Sequence, residues 1–401
     1  MSADLTIGQR VKQIRTASNI SRADLAGRVD RSVDWLKSVE IGRRQLDRYS
    51  TIAAVAAALG CEVTELLAVP HRSGASIEQR RAHAAVPALR RVLLRADLPP
   101  RAAGAPIDLD ALRSRVDVAH RYRRHARYGD LAADLPQLLQ DVAHTTAVLE
   151  GREKERAFAL LAEARHDAAM MAKRLGYVDL AAMAAAQGVR AANASGDPLL
   201  VTALTWTQAE VYITAGAVDE AHEITTGQMD VLDPLLGDGS EGIWSLWGTL
   251  HLVESVIQAR RLRGAEAASH LVEAAAAASR VGSGHSEYQT EFGPENRAIV
   301  AVHVGLELGG GREALSPVDD AVLSGLPKER RARHAIDRAL AASRDGDDLA
   351  AMGELLEADK IAPEAVRNHP IARELVVAAA HRSRTVKEPI VTAATRLGVS
   401  I

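Results

Sequence analysis

Apolar residues recur at helical intervals from the first residues of the chain. Ile7, Val11 and Ile14 share one face of a first helix. Ser21, followed three residues later by Asp24, has the form of a capping box with the shorter acid, and Leu25, Ala26 and Val29 give a second helix its inward face. Asp30 and Arg31 make the turn into a third helix, from about Ser32 to Glu40. There Leu36 and Val39 face inward while Asp34, Trp35, Lys37 and Ser38 face out. Gly42 is placed to end it. Ile52, Val55, Ala56 and Leu59 form the next apolar stripe, and Leu66 with Leu67 closes a unit of five short helices over residues 1–69.

Residues 70–106 read as a connector, with Pro70, Gly74, Pro99, Pro100 and Gly104 around an amphipathic piece from about Ile77 to Leu94. Val86, Leu89, Val92 and Leu93 give that piece an apolar strip, which suits a linking helix able to pair with a second subunit. Residues 107–401 are helical in pattern almost throughout and contain internal similarity. Gly176-Tyr-Val-Asp179-Leu-Ala181 recurs as Gly216-Ala-Val-Asp219-Glu-Ala221 and more loosely at Gly346. A glycine ending one helix, an acid capping the next and an alanine at their close approach are what stacked helical hairpins require. About twelve to fourteen helices are expected, with breaks near Gly129, Gly151, Gly176, Gly196, Gly216, Gly239, Gly264, Gly284, Gly310, Gly325, Gly346 and Pro363. The expected fold is all-α.

The third helix, with small, polar and basic outward side chains and the ending Glu40-Ile-Gly42-Arg43-Arg44, suits insertion into a DNA major groove. Residues 5–69 resemble the Cro/repressor-like (XRE) helix-turn-helix family: Leu25-Ala26, Val39-Glu40-x-Gly42-Arg43 and Ala57-Ala58-Leu59-Gly60 carry the likeness. The resemblance implies a pair between Arg15 and Glu40, phosphate contact at Arg22, and base reading at Val33, Asp34 and Ser38. Arg43 and Arg44 stand where a duplex backbone would pass, and Ser32, Trp35 and Lys37 complete the candidate DNA-binding set. Two of these have alternative readings: Asp34 either accepts from cytosine N4 or only caps its helix, and Trp35 either touches a thymine methyl or packs against the second helix. The helical hairpins resemble tetratricopeptide repeats, with helices longer than usual. The combination is similar to signal-responsive regulators of Gram-positive bacteria, some of which bind peptide pheromones on the inner face of the array. That similarity implies a double-stranded DNA operator, a homodimer, and a small-molecule or peptide effector; the rival is an adaptor whose repeats recruit a protein.

Charge supports the DNA reading. Residues 1–130 carry a net +9 and residues 131–401 a net −12, so a basic front half attracts phosphate and an acidic remainder does not. The 401 residues have room for two or three domains, and no apolar run of membrane-spanning length or secretory leader is seen, so a cytoplasmic protein is expected. The single cysteine, Cys61, is expected to be a buried thiol. Aromatic residues are scarce enough for their grouping to matter. Trp206 lies in one helix, Trp244, Trp247 and His251 share a face of another, and Asn296 and His303 share a later stripe. These six are the candidate effector-binding residues, with packing between helices as the other reading. No phosphate loop, His-Glu-x-x-His, paired cysteines or Gly-x-Ser-x-Gly turn is present, and no metal or cofactor is called for. The expectation is a regulator, not an enzyme.

Overall fold

The computed structural model of the chain describes residues 4–70, 77–96, 98, 105–282, 287–315, 323–383 and 385–401. Among these residues every regular element is a helix. The first five are α1 (Ile7–Ala17), α2 (Arg22–Arg28), α3 (Val33–Glu40), α4 (Tyr49–Leu59) and α5 (Val63–Leu67). Their core is the set of side chains the periodicity picks out: Ile7, Val11, Leu25, Leu36, Val39, Ile52, Val55, Leu59 and Leu66 are buried together. Local chemistry fixes the helix starts. Thr6 and Gln9 form a full capping box on α1, and the Ser21 and Ser32 hydroxyls each accept a backbone N–H from the third residue of the helix they precede. Where α1 crosses α3 only glycine fits at position 8, because a Cβ there would stand 2.1 Å from the Val39 carbonyl oxygen. Cys61, beyond the left-handed Gly60 that ends α4, is half-buried rather than buried; burial and the nearby Glu65 and Glu62 push its thiol up.

The remaining helices are α6 (Ile77–Leu94), α7 (Leu109–Arg124), α8 (Tyr128–Val148), α9 (Gly151–Arg174), α10 (Val178–Ser195), α11 (Pro198–Ala215) and α12 (Val218–Leu232). They continue as α13 (Glu241–Arg260), α14 (Gly264–Val281), α15 (Pro294–Glu307), α16 (Lys328–Arg344), α17 (Asp348–Ile361), α18 (Pro363–Arg367), α19 (Pro370–Arg382) and α20 (Glu388–Leu397). Successive helices pack as antiparallel hairpins, and α7, α9, α11, α13, α15 and α16 lie side by side in that order as an inner row. Alanine makes such close stacking possible, and one continuous core runs from Ala82 to Val399. The row curls until its ends meet. α16 touches α7, Arg174 of α9 pairs with Glu329 of α16 at 2.6 Å, and the Gly129 N–H donates to Glu364 of α18 at 2.8 Å.

One expectation changes. The helix Ile77–Leu94 has the expected bounds, but its strip of Val86, Leu89 and Leu93 is buried against α8 as part of the array, so that strip is not available to a second subunit. The breaks expected near Gly129 and Gly151 fall at residues 125–127 and 149–150, and Gly151, Gly176, Gly196, Gly216, Gly239 and Gly346 hold left-handed conformations as the pattern requires. The connector positions Gly74, Pro99, Pro100 and Gly104 and the break at Gly284 lie outside the described residues.

The N-terminal unit sits on the turns and last helices of the array. The Glu374 carboxylate of α19, fully enclosed, accepts the Ile7 N–H at 2.9 Å and faces Arg10 at 3.9 Å. Arg373 reaches Asp4, Arg344 pairs with Asp47 at 2.9 Å, and the Tyr49 hydroxyl donates to the Thr214 carbonyl at 2.7 Å. The turn after α9 passes so close to the end of α5 that a Cβ on Gly176, already at φ +84°, would lie 2.7 Å from the Val69 Cβ.

Candidate nucleic-acid interface

α3 is held from behind. Leu36 and Val39 are buried in the core of the unit, and the wholly buried Glu40 carboxylate at its end accepts from Arg15 Nε at 2.6 Å and from Arg22 Nε at 2.9 Å. Burial alone would raise the Glu40 carboxyl, but the two guanidinium groups outweigh it and hold the group below its ordinary value. The expected Arg15–Glu40 pair is therefore present, and Arg22 joins it. Arg22 keeps a third of its side chain exposed at the edge of the interface, but its guanidinium is committed to Glu40 rather than left facing outward alone.

The front of α3 is open. Val33, at 45% exposure, stands with Asp34 and Lys37 on the solvent side, Ser38 is half-buried, and Ser32 caps the helix. Because Ser32 supplies the cap, Asp34 is free to face outward. Trp35 is half-buried against the core of the unit, with the Arg31 guanidinium 5.9 Å from its ring centre, so its indole has a packing role. Past the left-handed Gly42, Arg43 and Arg44 are exposed, and the next residue, Gln45, already accepts from Ser343 and Arg382 of the array. A short helix with a free polar face, flanked by unburied arginines, can enter a groove while the arginines meet phosphates. Residues 6–69 match the family model of a helix-turn-helix domain. The N-terminal unit is a helix-turn-helix domain. No curated protein and no solved structure matches the chain.

Where it meets the array, the helix-turn-helix domain covers a cavity of about 240 Å³. Its walls come from Asp47, Tyr49, Ile52, Thr64, Leu67 and Val69 of the domain and from the inner row and last helices of the array. The array's share is dense in charge. Lys173 pairs with Glu210, Arg260 with Glu307 at 3.3 Å, and His303 Nδ1 lies 3.3 Å from Asp337. Burial pushes the Lys173 ammonium down to about 8, with Glu210 opposing; burial alone would raise the Glu210 carboxyl, but Lys173 and Arg174 hold it well below its usual range. His369, depressed by burial and by Arg333 and Arg174, is neutral at pH 7.

Of the six candidate effector residues, His303 alone borders this cavity. Trp206 is 3% exposed and packs near the His166 ring. Trp244 and Trp247 lie against the cluster around Phe292, with Arg280 stacked 4.2 Å from the Trp244 ring centre. His251, 4.7 Å from the Trp247 ring, meets His270 through Nδ1 atoms 3.0 Å apart, and Asn296 is buried in the first turn of α15. Trp206 packs towards α9, and the face with Trp244 and His251 packs on α14, so neither of those groups lines the inner opening. Among the described residues no cluster of His, Cys, Asp and Glu suits a metal ion, and no helix is long and apolar enough to cross a membrane.

Proposed function

We propose that the chain is a sequence-specific DNA-binding transcription regulator of the Cro/repressor-like class, in which residues 1–69 read an operator. Residues 107–401 form a tetratricopeptide-like array that, with α6 packed on it, senses a small molecule or peptide. The observation that carries this reading is the free front face of α3, with Val33, Asp34 and Lys37 exposed while the rear of the same domain is docked. Base-facing and phosphate-facing groups should then fail differently. Against a duplex selected from a random pool, Lys37→Ala is expected to cost about 1–3 kcal/mol on the selected site and to relax sequence preference. Arg43→Ala is expected to weaken selected and random duplexes alike and to flatten the plot of log affinity against log salt by about one unit. Fluorescence anisotropy over a salt series reads both, and an unaltered slope removes Arg43 from the phosphate contacts.

A single α3 offers few base contacts, so the operator reader is proposed to be a two-fold dimer presenting two such helices about 34 Å apart. With the strip of α6 consumed inside the chain, the interface falls on the outer surface of the array, where Val231, Leu262 and Val272 are half exposed or more. Light scattering on the full chain is expected to give about twice its 42.8 kDa mass. A monomer mass at operator-binding concentrations rules the dimer out.

A further inference from the structure

The cavity beneath the helix-turn-helix domain contains polar atoms that the protein leaves unmet. Glu307 is 7% exposed, and its Oε1 faces Arg260 and His303, yet Oε2 has no hydrogen-bond partner. Arg333, on the same wall, keeps 29% of its side chain accessible; its Nε is enclosed with only Asp337 at 3.8 Å, and its Nη2 meets His303. Charged side chains so incompletely met favour a ligand that brings partners to their accessible atoms. The two are neighbours through one imidazole: His303 Nε2 lies 3.3 Å from Arg333 Nη2 and 3.6 Å from Glu307. Arg330, also on the wall, faces the charges of Glu210 and Glu329 without a hydrogen bond to either among the described residues, which leaves its donors open to a ligand. Apolar side chains complete the lining: Ile52, Leu67 and Val69 come from the helix-turn-helix domain, and Ile299, Leu340 and Ile371 are among those from the array.

We propose that this cavity binds a small zwitterion of the α-amino-acid type, its ammonium group on Glu307, its carboxylate on Arg333 and Arg330, and its side chain against the helix-turn-helix domain. An α-amino acid carries its two charges on groups bonded to one carbon, which suits an acid and a guanidinium that both lie within 3.6 Å of one imidazole nitrogen. The volume, below the roughly 300–1,000 Å³ of sites for drug-sized molecules, suits a metabolite of that size. The proposal rests on the reading of the array as a sensor and names its ligand class. Because the DNA-binding domain forms one wall, a bound ligand contacts the docked arrangement and loses those contacts when the domain moves away, so binding and docking are coupled.

The test uses the full chain and the twenty proteinogenic amino acids singly. At least one with an apolar side chain is expected to raise the thermal midpoint with the logarithm of its concentration and to change operator affinity. Isocaproate and isoamylamine, which keep the leucine body but lack one charge each, are expected to do neither. Glu307→Gln and Arg333→Gln are expected to weaken the response about tenfold or more, while Arg280→Gln, on the far side of α13, retains it. A diazirine analogue of the best amino acid is expected to crosslink to Ile52 or Leu67 in the wild type, a readout that does not depend on the variants folding. No response to any amino acid, equal responses to the singly charged analogues, or crosslinks confined to other parts of the array would overturn the proposal. Operator affinity separates the two failures: a protein that binds its duplex but ignores every zwitterion loses this site and remains a regulator, whereas one that binds no duplex is not a regulator at all.

Discussion

Glu40→Ala is expected to abolish operator binding by unfolding the helix-turn-helix domain while the helical array stays folded. The Glu40 carboxylate is wholly enclosed, and Arg15, only 11% exposed, has its guanidinium on it. Arg22 closes the other side. Removing the acid strands a mostly buried cation, a change that costs about 3–5 kcal/mol in comparable buried pairs. A small domain with a total stability of roughly 5–15 kcal/mol has little room for that loss. Hydrogen exchange should show α1, α2 and α3 losing protection together and α9 to α13 keeping theirs. Protection in α1 to α3 equal to wild type would show that the pair stabilises little. The same group sets an acid limit. Its carboxyl sits below the ordinary value in the folded domain, so its contribution is complete above about pH 4.5 and is lost as pH falls through the depressed value.

Docking of the domain should respond to pH in the opposite sense, through Glu374. Enclosure raises this carboxyl to about 7, against the pull of Arg10 and the Ile7 N–H, with Asp47 adding to the rise and Arg382 opposing it. A carboxyl whose value rises on docking favours the docked state where it is protonated. That contribution is complete below about pH 4.5, declines by up to about tenfold in the docking equilibrium per pH unit, and is gone above about pH 7. Asp4 and Arg373 also face this contact, so their charges are part of the background that Glu374 titrates against. Between pH 5.5 and pH 8 the exchange protection of the Ile7 and Arg10 amides should fall in the wild type. It should stay level in Glu374→Gln, which keeps an acceptor for the Ile7 N–H without a proton to lose. A parallel decline in the variant would assign the pH response to other groups.

The elements were largely legible because helices announce themselves locally. Ser21 and Ser32 cap helices, and Leu36 and Val39 are inward, as their positions require. Ile77–Leu94 has the bounds its amphipathic run gives. The face of α3 was equally readable, since exposure on a short helix follows from which residues the core takes. The cavity was not. Its charges sit at 173, 210, 307, 329, 333 and 337, on four different helices, and part of its apolar lining comes from the N-terminal unit, so no single stripe carries it. A trace was present: Lys173 follows the buried Ala169 by four residues and so lies on an alanine face, where a charge needs an inward partner. The tryptophans drew attention as rare large rings, but in an alanine-rich array rings fill the gaps that small side chains leave, and Trp206, Trp244 and Trp247 do that.

The meeting of α16 with α7 and α9 changes the mechanics of the array. An open stack of hairpins is a spring, free to alter its pitch because each unit touches only its neighbours. Here the Arg174–Glu329 pair and the Gly129–Glu364 hydrogen bond join distant units, and the spring is riveted shut. Small changes of angle between hairpins cannot accumulate along a closed loop, so strain introduced at one place has either to be absorbed there or to part the seam. The helix-turn-helix domain leans on the turns after α9 and α11 and on α19, on both sides of that seam. Opening the rivets would tilt the platform under the DNA-reading helix as one movement, so the array would act on DNA as a latch and not as a graded lever.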